Sequence, residues 1–287
     1  VAQVDMKPKY RVLVTDGWTR KALPVVRALG LAGHDCYVVA NSLTSSAAFS
    51  RFCRGSFFAD DPKRAPKRFV GTLGKLVKKL SIDCVLPLEE ATIDAIIRSD
   101  LEQGIGVPVA MPPAESYKIA SDKELTIHLA GSAGVPAPLT IVPHTLAAAR
   151  AAGKDIGYPL IMKPARSSGS RGVRLIRDAE ELADSYEAAL SQYGRVLLQE
   201  YIPNDGPGSG VGIAAVDGKV TAAFSYQRIR EFPISGGPST LRVSTDNPEL
   251  REHARTLMEA LGWNGVAMVE FKFDKRAGKH LLMEINP

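Results

Sequence analysis

Apolar and polar positions change rhythm partway along the chain. From Tyr10 to Leu101, short apolar runs alternate with stretches in which apolar residues recur every three or four positions. The runs Tyr10–Thr15, Asp35–Ala40, Gly55–Phe58 and Cys84–Pro87 predict strands; Lys21–Ala32, Arg64–Leu80 and Glu90–Leu101 predict helices between them. This alternation implies a doubly wound parallel sheet, whose ligands sit beyond the carboxyl ends of the strands. Thr15, Asn41 and the Glu89-Glu90 pair fall at such ends. Pro108, Pro112 and Pro113 then punctuate the chain and predict a boundary after residue 111.

Beyond it the pattern is different. Ala114–Ala120 and Asp122–Ala133 predict short helices. Pro159–Pro164 predicts a strand, Arg166–Gly172 a loop, Val173–Ile176 a strand, Asp178–Tyr193 a helix and Val196–Ile202 a strand. Thereafter period-two alternation dominates: Val211–Val216, Val220–Arg228, Thr240–Ser244, Val266–Asp274 and His280–Asn286, interrupted by one helix, Pro248–Leu261. Turn signals at Asp217-Gly218 and Gly278 make these strands an antiparallel sheet. Gly208-Ser209-Gly210-Val211-Gly212 precedes a strand rather than a helix, so it predicts a turn or bulge, not a phosphate loop.

Composition narrows the class. The 287 residues are 45% hydrophobic and 23% charged, which excludes general disorder. There is no apolar run of about 18 residues to span a membrane, and the polar start is no signal peptide. Val1 stands where an initiator Met would, which implies trimming or processing. Cys36, Cys53 and Cys84 are odd in number and widely spaced; that suits reduced thiols in a cytoplasmic protein, not disulfides or a zinc motif. The net charge of +5 is partly local, because Lys63–Lys79 carries seven basic residues and no acidic one. Arg64, Lys67, Arg68, Lys75, Lys78 and Lys79 lie on one helical face, opposite Phe69, Val70, Leu73, Leu76, Val77 and Leu80. Without interleaved aromatics or a binding motif, this predicts a solvated face and no nucleic-acid partner. G-x-G-x-x-G is absent after the first strand, and no Walker loop occurs.

Four constellations carry candidate chemistry. In the last hairpin, a turn centred near Ala277 sets Glu270 across from Glu284, with Asn286 one step further on the same face. Opposed carboxylates repel, and a divalent cation removes the conflict. Glu, Glu and Asn offer the hard oxygen donors that suit magnesium held with phosphates; a water-screened polar face is the other reading. Lys163 ends an apolar strand ahead of Arg166-Ser167-Ser168-Gly169-Ser170-Arg171-Gly172, a stretch suited to covering phosphates or to an ordinary exposed loop. Gln199-Glu200-Tyr201-Ile202 ends a strand and runs into Asp205, where backbone groups can meet a base edge and the carboxylate a ribose. Arg228 and Arg230 precede Pro233–Ser239, a pairing suited to a carboxylate or phosphoryl group, or to a solvated loop. No Ser-His-Asp set or metal-spaced histidines are legible.

Taken in order, these motifs resemble the ATP-grasp superfamily: its carboxylate–amine ligases and the related carbamoyl-phosphate synthase and biotin carboxylase enzymes. The resemblance covers nearly the whole chain. Ser121-Asp122-Lys123 and Tyr158–Pro164 are similar to the segments carrying the two nucleotide lysines, here Lys123 and Lys163. Ser167–Gly172, with Ser167, Ser168, Gly169 and Ser170, resembles the phosphate lid. Leu198–Ile202 resembles the adenine hinge, which acts largely through the backbone of Glu200 and Ile202. Arg228–Ser239 is similar to a substrate and phosphate loop, and Glu270 with Met283-Glu284-Ile285-Asn286-Pro287 resembles the magnesium ligands.

The resemblance implies an α/β fold: a doubly wound parallel pre-ATP-grasp domain over 1–111, then a two-lobed α+β ATP-grasp domain. Its small lobe with the lid would span 112–198 and its large lobe 199–287. It implies ATP with Mg²⁺ (or Mn²⁺) as cofactors, and small-molecule carboxylate and amine substrates. Lys123, Lys163, the lid, Gln199–Ile202 and Asp205 would bind nucleotide; Glu270, Glu284 and Asn286 the metal; Arg228 and Arg230 the reacting groups. Asn204 stands where the hinge usually carries glycine. The family also places an arginine after the Asn-Pro pair, so the resemblance implies a C-terminally incomplete large lobe. A non-catalytic ATP-binding or regulatory module, and a carbamoyl-phosphate synthase-like or biotin carboxylase-like activity, are the alternatives.

Overall fold

A computed structural model describes residues 8–42, 44–99, 104–167, 169, 171–232 and 239–287. The chain forms two compact units, 1–111 and 112–287.

In the first unit the sheet is β1 (Arg11–Val14), β2 (Asp35–Ala40), β3 (Cys53–Phe58) and β4 (Cys84–Leu86), ordered β3-β2-β1-β4 and parallel throughout. Helix α1 (Ala22–Leu31) links β1 to β2, α2 (Pro66–Leu80) links β3 to β4, and α3 (Glu90–Arg98) follows β4. The amphipathic α2 buries Phe69, Val70, Leu73, Leu76 and Val77 in one core. Its basic side stays in solvent, with Arg64 paired to Asp61 and Arg68 to Asp60. The cysteines are free, and burial pushes all three thiols up, Cys36 to about 11.

At the carboxyl end of β1, Asp16 takes φ +55° and is 5% exposed. Its Oδ2 accepts from the Thr15 hydroxyl (2.6 Å) and from the amides of Leu88 and Glu89 (each 3.2 Å); Oδ1 accepts from Thr92 (2.8 Å). The carboxylate thus ties β1 to the start of α3.

The second unit has two sheets. One runs β5-β8-β6-β7: β5 (Thr140–Ile141), β6 (Leu160–Pro164), β7 (Arg174–Ile176) and β8 (Val196–Glu200). Two helices cover it, α6 (Leu146–Ile156) and α7 (Ala179–Tyr193), around Leu160, Met162, Leu182 and Tyr186. The other is antiparallel, β11-β10-β9-β12-β13: β9 (Gly208–Val216), β10 (Lys219–Glu231), β11 (Ser239–Thr245), β12 (Gly265–Asp274) and β13 (Lys279–Asn286). Its core holds Trp263, Leu257 and Met258 of α8 (Pro248–Ala260) and its surroundings, with Val269, Phe271 and Leu282 from the sheet. Helices α4 (Ala114–Ala120) and α5 (Lys123–Ser132) contribute Ala120 and Ala130 to this same core. Residues 112–198, grouped as one lobe in the sequence, therefore divide between two cores.

Three local features differ from the sequence reading. The helix α6 and the short β5 had no expected counterpart; α6 is an alanine-rich run started by Thr145, whose hydroxyl accepts from the Ala148 amide. The glycines 208–212 belong to β9 and pair in continuous register with β12, rather than forming a turn or bulge. They clear space for rings on β10: a Cβ on Gly212 would lie 2.4 Å from the Phe224 ring. Finally, Glu270 faces Glu284 as expected, but Phe271 faces Leu282, so Met283 is the extra residue of a β-bulge. The bulge lets Leu282, beside the buried Leu281, turn into the core.

Candidate active site

The second unit contains a cleft of about 1010 Å³, lined from both of its sheets. Apolar Ile161, Val173, Tyr201, Ile202 and Met283 form part of its wall, and the bulge on β13 is what brings Met283 there.

Lys123 is placed by the first turn of α5. Asp122 caps that helix, accepting from the amides of Glu124 and Leu125, while Arg195 bonds both Asp122 and Glu124. The Lys123 backbone N–H donates to Ala165 O at 2.9 Å, which holds the helix start to the end of β6. Its Nζ donates to Ser167 O (2.6 Å) and lies 3.6 Å from Glu284 Oε2. Lys163 sits on β6 and is 5% exposed. Its Nζ donates to Gln199 Oε1 at 2.8 Å, and Gln199 Nε2 donates to Thr140 Oγ1 at 2.8 Å. The Lys163 ammonium is lowered to about 8, by burial first and then by the Lys123 charge, with Glu284 opposing. Gln199 is thus a side-chain support for Lys163, a role its sequence position did not disclose.

The end of β8 is braced from outside. Glu200 accepts from Arg276 at 2.8 Å, and its backbone N–H donates to Leu139 O. Lys272 Nζ donates to Ile202 O (2.6 Å) and Asn204 Oδ1 (2.5 Å). Burial lowers the Lys272 ammonium. Asn204 lines the cleft, whereas Asp205 does not; its carboxylate lies 4.0 Å from Lys275 at the surface.

Glu270 and Glu284 both line the cleft. Burial raises the Glu270 carboxyl, Arg228 opposes, and Glu284 raises it further. Arg228 bonds Glu270 Oε1 and, at 3.2 Å, Glu231. Desolvation pulls the Arg228 guanidinium down, but these two carboxylates more than offset it and the net direction is up. Asn286 shares the face of Glu284 one step along β13 and is outside the cleft wall; its Nδ2 is buried without a partner. Arg230 lines the cleft beside a double irregularity in the β10–β11 pairing, which brings Arg228, Ile229 and Arg230 together to the wall. Ser167 lines the cleft; Ser168, Ser170 and the stretch 233–238 lie outside the described residues, and Gly169 has φ +65°.

Comparison with known proteins agrees with this geometry. Residues 122–205 match the family described as carbamoyl-phosphate synthase L chain, ATP binding domain. A putative D-alanine–D-lactate ligase of Streptomyces coelicolor is 29% identical over 237 residues, covering 73% of this chain and 64% of its own length. The α subunit of mitochondrial methylcrotonoyl-CoA carboxylase from Arabidopsis thaliana is 26% identical over 63% of this chain and 26% of its own. Among solved structures, the biotin carboxylase domain of Hydrogenobacter thermophilus 2-oxoglutarate carboxylase superposes with a TM-score of 0.77 at 20% identity. That match covers 98% of this chain and 64% of that one, and the structure is a complex with Mg-ADP, ADP and bicarbonate. Over residues 122–205 the chain is therefore similar to this ATP-binding family, and its fold is like that of the biotin carboxylase domain. It spans less than two thirds of these relatives' lengths. No helix among the described residues is long and apolar enough to cross a membrane.

Proposed function

We propose that the protein is an ATP- and magnesium-dependent ligase that activates a carboxylate as an acyl phosphate for attack by an amine or similar nucleophile. The observation that carries this reading is the buried Lys163 ammonium, held by a neutral amide beside the cation of Lys123 at the wall of a large cleft. Two such cations side by side are costly unless an anion joins them, and a polyphosphate supplies that charge. The apolar wall at Ile161, Val173 and Met283 suits a base, and the backbone of Glu200–Ile202 supplies its edge contacts. The surface position of Asp205 removes it from the ribose and leaves Asn204 as the nearer polar group.

Glu270 and Glu284 fit a magnesium ion, because two hard-oxygen donors face each other across a ladder at one cleft wall. Asn286 stands next to them as a third donor. When bound, the metal neutralises phosphate charge. The chain's own residues do the rest. Lys123 and Lys163 hold the phosphates, and Ser167 brings its backbone to them. Arg228 and Arg230 hold the carboxylate and the transferred phosphoryl group. The substrate carboxylate oxygen attacks the γ-phosphorus and ADP leaves; the amine then attacks the acyl carbon and phosphate leaves. Positioning and charge compensation are the protein's contribution to such transfers. The two sheets of 112–287 are the two lobes around the nucleotide, 1–111 is the pre-ATP-grasp domain, and free thiols fit a cytoplasmic setting.

Likeness to biotin carboxylase folds favours a second reading, in which bicarbonate is the acid that is phosphorylated. One assay separates the two. Hydroxylamine intercepts an acyl phosphate as a hydroxamate, with ADP released. Hydroxamate with an organic acid from a panel including amino acids supports the ligase. ADP release that depends on bicarbonate alone supports the second reading. ATP binding with neither product leaves a non-catalytic nucleotide module.

A further inference from the structure

Tyr226 touches the candidate metal-binding carboxylate from the far side of a strand. Its phenol is buried, 2% exposed, on β10. Across the sheet, Tyr226, Gly210, Glu270 and Glu284 occupy one row on four adjacent strands. The missing side chain at Gly210 is what allows the ring to lie over β9: a Cβ there would stand 2.5 Å from Tyr226 Oη. Oη ends 3.5 Å from Glu270 Oε1 and donates to Met268 Sδ at 3.0 Å. The Arg242 guanidinium covers the other face of the ring, 4.4 Å from its centroid.

A thioether is a weak acceptor, so the phenol's donor strength is scarcely used by Met268. Meanwhile Glu270 Oε1 is occupied by Arg228. Under the function proposed above, Arg228 is needed for an incoming anion and Glu270 for a cation. Once Arg228 turns toward the anion, Oε1 loses its donor, and a carboxylate ligand without an outer partner is poorly oriented. We infer that Tyr226 is a positioning residue: its hydroxyl would move from Met268 Sδ to Glu270 Oε1, take the place of Arg228 there, and hold the carboxylate in a fixed orientation for a bound metal. Gly210 is the second part of the device, because any larger residue displaces the hydroxyl.

This inference rests on the proposed metal-nucleotide site, and the test separates the two. Mn²⁺ affinity would be measured by electron paramagnetic resonance in the presence of a non-hydrolysable ATP analogue, for the wild type, Tyr226→Phe and Gly210→Ala. Loss of an outer-shell partner typically costs 10–100-fold in metal affinity. The expectation is a loss of about tenfold in Tyr226→Phe and a similar loss in Gly210→Ala, with the double variant no worse than either. Analogue binding in EDTA and metal-free Tm of Tyr226→Phe should stay near wild type, because the ring and its packing remain. If Tyr226→Phe does not fold, Gly210→Ala carries the measurement with the phenol intact. Equal Mn²⁺ affinity in the wild type and a folded variant overturns the role of Tyr226 alone. Absence of Mn²⁺-analogue binding in the wild type overturns the metal site, and this inference with it.

Discussion

Asp16 and the Lys163–Glu270 cleft show two outcomes of burying charge. Asp16 is deep at the end of β1, and burial raises its carboxyl even though hydrogen bonds from Thr15, Thr92 and Leu88 oppose. Every contact it makes is internal: two hydroxyls and two amides that otherwise have no acceptor. In the cleft the chain meets the charges only in part. Lys163 has a neutral partner and the Lys123 cation nearby, with Glu284 opposing, and Glu270 is paired with Arg228 but faces the carboxylate of Glu284. A perturbed ionisation therefore does not mark a site on its own. What separates structure from function is whether the group's partners are all supplied by the chain.

Lys163→Met should have the largest effect. Removing one preorganised cation from developing phosphoryl charge lowers turnover by roughly 10²–10³, measured as ADP release. The same variant tests the cost of the buried charge. The folded-state pKa of about 8 lies below the unfolded value of 10.5. The unfolded chain therefore binds more protons between those values, and stability rises with pH across that window. The penalty below pH 8 is about 3 kcal/mol at most. Nucleotide-free Tm should climb from pH 8 to 10 in the wild type relative to Lys163→Met. Parallel curves would show that the ammonium is already compensated within the chain, and the contrast with Asp16 would fail.

Asp16→Ala should come next, with the opposite signature. It leaves the Leu88 and Glu89 amides without their acceptor and puts, at φ +55°, alanine in place of aspartate, which tolerates the left-handed region better. A loss of about 3 kcal/mol in stability is expected, read by urea unfolding, with nucleotide affinity unchanged. A change in nucleotide affinity at equal foldedness would make Asp16 a ligand group after all.

Glu284→Gln should have the smallest effect on the fold. It removes a repulsion with Glu270 and a long ion pair with Lys123, so metal-free Tm should move little. Mg²⁺-dependent nucleotide binding should weaken about tenfold, as expected when a charged carboxylate ligand becomes a neutral amide oxygen. Calorimetric titration with and without Mg²⁺ checks this; a large metal-free destabilisation would make the hairpin acids purely structural.

Periodicity made the alternating first unit and the antiparallel strands legible, because both bury one well-marked face. The opposition of Glu270 and Glu284 was also legible, since a hairpin turn sets register over a few residues. The Met283 bulge left a trace, Leu282 out of phase, but its meaning needed the core that receives Leu282. The helix α6 was missed because its alanines give little contrast between faces. The glycines of β9 read as a turn because the residues that need their space, Tyr226 and Phe224, belong to another strand. Gln199 was legible only as part of the hinge, and Thr140 not at all, for the same reason: their support of Lys163 exists only once β6, β8 and β5 lie side by side.

The pairing of β5 with β8 has a topological consequence. Thr140 faces Gln199, Ile141 faces Leu198, and the Leu139 carbonyl accepts from the Glu200 amide. The excursion from Leu139 to Glu200 therefore leaves and returns through one doorway. For the antiparallel layer, which already counts α4 and α5 in its core, that whole cassette closes like a short loop. Removing such a piece would leave the order β11-β10-β9-β12-β13 untouched, because none of its strands belongs to that sheet.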